Sequence, residues 1–114
     1  MKKFIMVLFL ECIISNQLFA AEAHCTGTVD AVGAHTPDIL IVKLSNTNHI
    51  QICAFTTANK FNDITPELCK LFASIASQAK ATNSNLGLVI DNTPSSDCLS
   101  VPDWSQAQVR YLGN

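Results

Sequence analysis

Charge is scarce in this 114-residue sequence: 14% of it is Asp, Glu, Lys or Arg, seven basic against nine acidic, for a formal charge of −2. No block of Lys and Arg could neutralise a row of phosphates, so nucleic acid is not an expected partner. C-x-x-C spacing is missing, as is an H-x₃₋₅-H pair, which removes the usual frameworks for zinc. Histidine is limited to His24, His35 and His49, the acids are scattered, and neither a triad order nor a G-x-S-x-G elbow is present. No catalytic residue, metal or cofactor is therefore expected. Asp91, Asp97 and Asp103 stand six residues apart, too far for the closely alternating oxygens of a Ca²⁺ loop. The sequence also lacks an N-x-S/T sequon in its last 94 residues. What it has in plenty is apolar surface: 48% of residues are hydrophobic, too many for a disordered tail, in a chain long enough for one small domain.

Part of that apolar content is at the start. Met1-Lys2-Lys3 is followed by the run from Phe4 to Leu10, and the stretch closes on Ala20-Ala21-Glu22-Ala23, the layout of a secretory signal peptide over residues 1–20. Glu11 and Ser15-Asn16-Gln17 interrupt the run well short of the roughly 20 residues a membrane-spanning helix needs, so no span is expected after processing. Cleavage is expected after Ala20, with the bond after Ala23 as second choice. The domain is then 21–114, exported to the periplasm or secreted. Cys12 leaves with the leader, and Cys25, Cys53, Cys69 and Cys98 remain, an even set in an oxidising space, which predicts two disulfides from three possible pairings. Removing Lys2, Lys3 and Glu11 leaves five basic residues against eight acidic.

The pattern predicts strands over 25–34, 39–44 and 49–55, with turns at 35–38 and 45–48. His24 then lies at a frayed start, His35 in a turn and His49 at the beginning of the third strand, all solvated. Thr65-Pro66-Glu67 opens a helix: an N-cap Thr, Pro at the first helical position and an acid at the positive dipole end. Leu68, Leu71, Phe72, Ile75 and Ala79 form its core stripe, flanked by Ala73, Ala76, Ser77 and Lys80, which are expected to be a solvated face, with the approach of a neighbouring helix as the alternative. Strands over 86–91 and 106–112 follow, separated by a Pro- and Ser-rich loop, 92–103. The expected fold is mainly β with one helix, a five-stranded OB-like barrel in the order β-β-β-α-β-β, with an open α+β sheet as the alternative. In such a barrel Cys53 reaches Cys69 in the first helical turn and Cys25 reaches Cys98. Chain entropy assigns about 3 kcal/mol to the short closure and a little over 4 kcal/mol to the long one.

Three residues are the candidates for binding. Trp104, the only tryptophan, either stacks on a sugar ring or covers the end of the barrel, with packing favoured. Tyr111 falls with Ala107 and Val109 on the apolar side of the last strand and is expected to pack. Lys60, beside Phe61 and Asn62, lies in the connection to the helix, where loops carry recognition.

The frame of Cys25-Thr26-Gly27, Ile52-Cys53, Thr65-Pro66-Glu67-Leu68-Cys69-Lys70 and Cys98-Leu99-Ser100-Val101-Pro102-Asp103-Trp104 resembles small exported proteobacterial proteins, the receptor-binding B subunits of subtilase-cytotoxin and pertussis-like toxins. The resemblance implies an OB fold, a ring of five subunits with helices lining the centre, pockets for cell-surface glycans and a toxic enzymatic subunit as partner. No local stretch matches the positions that hold sialic-acid-type sugars in those toxins, so no sugar-binding residue carries over. The functional expectation is a secreted or periplasmic, non-enzymatic binding protein of this kind. The alternative is a monomeric periplasmic inhibitor or immunity-type protein that presents the 92–103 loop or an acidic edge to a basic protein target.

Overall fold

A computed structural model describes residues 21–57 and 64–114. The leader assigned to 1–20, with Cys12, lies outside the described residues, as do Lys60, Phe61 and Asn62. The elements are β1 (Ala21–His35), β2 (Ile39–Leu44), β3 (Ile50–Ala54), α1 (Pro66–Ala81), β4 (Asn85–Thr93), a 3-10 turn (Cys98–Ser100), β5 (Ser105–Gln106) and β6 (Gln108–Gly113). Among the described residues the protein is mainly β with one helix, as its sequence predicts.

The sheet differs from the expectation of a closed barrel of five strands. It has six, in the order β5-β3-β2-β1-β4-β6. The predicted last strand is divided at Ala107 because it serves two neighbours. β5 runs parallel to β3 through Ile50 and Gln51, and Ala107 N–H still donates to Gln51 O at 3.1 Å. From Gln108 onward the chain is antiparallel to β4 instead. The two edges of the sheet are thus consecutive in sequence. β1 divides its length in the same way, pairing over Ala21–Thr28 with β4 and over Val29–His35 with β2. A bulge at Asp30 marks the change of neighbour, and Lys43 Nζ donates to its Oδ2 at 3.1 Å. A bulge adds local twist, so this long strand bends and carries both halves of the sheet around one core.

That core is aliphatic: Leu40, Val42, Leu44, Ile50, Ile52 and Leu88 are almost fully buried. In β2, Ile39 and Ile41 are buried too, on the opposite face, where they cluster with Ala54. A short run of apolar residues covered on both faces is what a central strand needs. Gly27 is in close contact with the β2–β3 turn: a Cβ there would stand 2.6 Å from Ser45 Oγ, so a larger residue needs the Ser45 hydroxyl to turn away. Buried Thr47 closes that turn, accepting from Leu44 N–H and donating to Asn48 O, both at 2.9 Å.

The helix begins as predicted, with Thr65 Oγ1 accepting from Leu68 N–H at 3.2 Å and Pro66 in the first turn. Its buried face is another matter. Cys69, Phe72, Ala76 and Ala79 face the core, while Leu71 is 53% exposed and Leu68 is exposed beside it. The predicted stripe is therefore rotated, and the cause is covalent: Cys69 is bonded to Cys53 of β3, with both residues fully buried. The bond fixes which side of the first turn meets the sheet. Ala76, predicted on an outer flank, is inside it, and Lys80 donates to Asp30 O at 3.3 Å. The second disulfide joins Cys25 of β1 to Cys98, with Cα atoms 5.9 Å apart. Among the described residues no helix is long and apolar enough to cross a membrane.

Candidate binding site

Two stretches of chain meet at one end of β3. Asn48 Nδ2 donates to Val101 O at 3.0 Å and His49 N–H donates to Asp103 Oδ1 at 2.8 Å. Trp104 N–H returns to His49 O at 2.8 Å, and Gln51 Nε2 donates to Trp104 O at 2.6 Å. Upstream, Cys98 is tied to β1 and Asp97 caps the 3-10 turn by accepting from Leu99 N–H at 3.1 Å. Buried Val101 plugs the segment into the core. The loop is thus fastened at several points, and the fastening fixes one unusual backbone.

Trp104 has φ of 61°, in the left-handed region where a bulky residue costs about 1–3 kcal/mol. Both its N–H and its C=O are engaged, which holds it there. The indole stacks flat on the His49 imidazole, with ring centroids 4.4 Å apart and planes within 4°. The His35 ring, at the end of β1, stands at 6.1 Å, tilted by 51°. Despite these neighbours Trp104 is 47% exposed. Packing, the favoured expectation, is therefore half the story: the ring is backed on an imidazole and open to solvent.

Asp103 organises the backing ring. Its Oδ1 accepts the His49 backbone N–H and lies 3.1 Å from His49 Nδ1. The backbone N–H above all, helped by the imidazole, holds this carboxyl below the usual aspartate range. An Asp–His pair is part of a hydrolytic triad, but the hydroxyl next in the chain, Ser105 Oγ, donates to Pro102 O at 2.6 Å. The surface is suited to stacking, with a flat apolar face and an indole N–H for a polar partner. Among the described residues no group of three or more His, Cys, Asp or Glu is placed to hold a metal ion.

The other candidates are not part of this arrangement. Tyr111 is on β6 and is 48% exposed, against the expectation that it packs. The reason is a bulge: Tyr111 pairs with Val89 and Val109 with Ile90, leaving Arg110 as the extra residue and shifting the face of everything after it. Leu112 is buried in its place. Arg110 lies between two carboxylates, 2.7 Å from Glu22 and 3.2 Å from Asp91, and they raise its pKa above the ordinary arginine value, Asp91 first. Glu22 is lowered, mainly by the 2.6 Å hydrogen bond with His24. His24 is accordingly within a paired strand and not at a frayed end. Asp91, Asp97 and Asp103 have three separate partners and make no shared site.

Asn48 and Gln51, which fasten Trp104, are not predicted by any sequence motif. Their amides act only through a segment some fifty residues away, a distance over which a single sequence carries no signal. Compared with protein-family models, curated proteins and solved structures, the chain matches none.

Proposed function

We propose that the protein is an exported, non-enzymatic binding protein that holds a cell-surface glycan against Trp104, in the manner of a toxin B subunit. One observation carries this reading: a half-exposed indole, backed by an imidazole, is kept in a costly backbone conformation by hydrogen bonds on both sides. Strain maintained by its surroundings is a mark of function. Two disulfides suit an oxidising compartment. In this reading the leader ends at Ala20, a choice supported by Ala23, fully buried opposite Ile90, and by Glu22, paired with Arg110. A cut after Ala23 removes all of these. The exposed Leu68 and Leu71 of α1 offer the apolar surface a homo-pentamer needs, and a toxic enzymatic subunit is the natural partner of such a ring.

Because Trp104 is the only tryptophan, its emission reports this site alone. Titration of the oxidised protein with cell-surface glycans is expected to give a saturable change in that emission. A native mass of five subunits accompanies it. An unchanged emission with every glycan rejects the reading. The inhibitor alternative draws support from Leu99, 57% exposed on the same fastened loop, and predicts a monomer that forms a one-to-one complex with a protein.

A further inference from the structure

Beside the Trp104 segment, between it and the end of β4, is a cleft of about 300 Å³, at the small end of the range for small-molecule sites. Its floor is apolar and buried, formed by Ile90, Val101 and Ala107. Its rim carries the amides of Asn92, Gln106 and Gln108, all exposed. Asn92 has φ of 53° and its Nδ2 donates to Gln108 Oε1. That bond uses one hydrogen of the Asn92 amide and the oxygen of Gln108, leaving an acceptor oxygen and a donor NH₂ side by side. The charged group of the lining, Asp91, is paired with Arg110.

We infer that this cleft is a second sugar subsite, so that the ligand is a neutral oligosaccharide of at least two residues. The inference rests on the reading of Trp104 as a sugar platform and extends it. Vicinal hydroxyls each donate and accept, and an amide supplies both functions without charge. A shallow apolar floor accepts the C–H face of one ring, and the volume suits one ring and not a whole glycan. Pro102, Ser105 and Gln106 line the cleft and flank Trp104 in the chain, while the indole itself is outside the lining, so a ligand that fills the cleft and also covers the indole needs at least two rings. Every free polar side chain on the rim is neutral, which disfavours a sialylated ligand or a charged peptide.

The test is an array of neutral and acidic glycans from one to four residues, probed with the full processed protein, Gln106→Ala with Gln108→Ala, Asn92→Gly and Trp104→Ala. Asn92→Gly keeps the left-handed backbone available, and matching melting curves show that each variant is folded. The wild type is expected to retain neutral di- and longer glycans at least ten-fold better than any monosaccharide. The cleft variants are expected to fall to the monosaccharide level while keeping the tryptophan response. Equal retention of one and several residues, unchanged cleft variants, or retention of acidic glycans alone overturns the inference. So does competition for the cleft by peptides. Cleft variants that lose binding while Trp104→Ala keeps it reject the platform and leave the cleft as a site by itself.

Discussion

Trp104 and Tyr111 are exposed to almost the same extent, 47% and 48%, but their surroundings differ in kind. Around Trp104 the bonds come from distant parts of the chain: His49 behind the ring, Gln51 on its carbonyl, Cys25 tethering the loop before it. The Tyr111 backbone pairs with Val89 of β4, but the hydrogen bond of its side chain is local. Its hydroxyl reaches Asn114 O, three residues on, at 3.4 Å, and its exposure follows from the bulge at Arg110. Exposure is the same in the two cases, and what sets Trp104 apart is the long-range restraint of its exposed ring, the feature on which the proposed function rests. The comparison predicts that disturbances near Trp104 propagate to its emission and those elsewhere do not.

The largest effect is expected from removing the Cys25–Cys98 bond by Cys25→Ala with Cys98→Ala. Loss of a 73-residue closure destabilises the protein by about 4 kcal/mol in the chain-entropy account, and the native emission of Trp104 shifts because its segment is released. Denaturant unfolding followed by circular dichroism and fluorescence measures both. Mild reduction should reach this bond first, since Cys98 is partly exposed whereas Cys53 and Cys69 are fully buried. On the helix side, Phe72→Ala should cost about 3 kcal/mol, as a large core residue does, and leave the Trp104 emission in place. Leu71→Ala should change stability by no more than about 0.5 kcal/mol; a loss at Leu71 as large as that at Phe72 would restore the helix face predicted from periodicity, which holds both residues.

Asn48→Ala removes the donor to Val101 O and is expected to cost about 1–2 kcal/mol, with a shift in emission out of proportion to the stability lost. Tyr111→Ala should stay within about 0.5 kcal/mol and leave the emission unchanged. The smallest effect is electrostatic. Asp103 has a folded pKa below its ordinary value, so its contribution is complete above about pH 4 and is lost as the pH falls through the depressed value. The advantage of the wild type over Asp103→Asn, read from melting curves, should be present at neutral pH and gone in strong acid. An advantage that persists there would show that Asp103 acts without its charge.

The same division explains what the sequence makes legible. The helix start at Thr65-Pro66, the strand Ile39–Leu44 and the tight turn before Asn48 are decided by residues close together, and local propensity reads them. The facing of Leu68 and Leu71 depends on Cys69 being anchored to β3, and the facing of Tyr111 on one extra residue at Arg110. Both reverse a periodic pattern through a contact made elsewhere. The division at Ala107 arises because a single strand must satisfy β3 and then β4, which its own alternation does not encode. Trp104 could be singled out as the lone tryptophan after Pro102-Asp103. Its imidazole backing, its left-handed backbone and the amides of Asn92, Gln106 and Gln108 come from tertiary placement.

The most direct test of Trp104 as the recognition surface is glycan retention by the processed, oxidised protein and by Trp104→Ala and Tyr111→Ala, compared side by side on one array. Loss of every bound glycan in Trp104→Ala, with Tyr111→Ala retaining them at wild-type level, is the predicted result. Retention by Trp104→Ala, or loss in Tyr111→Ala alone, contradicts it.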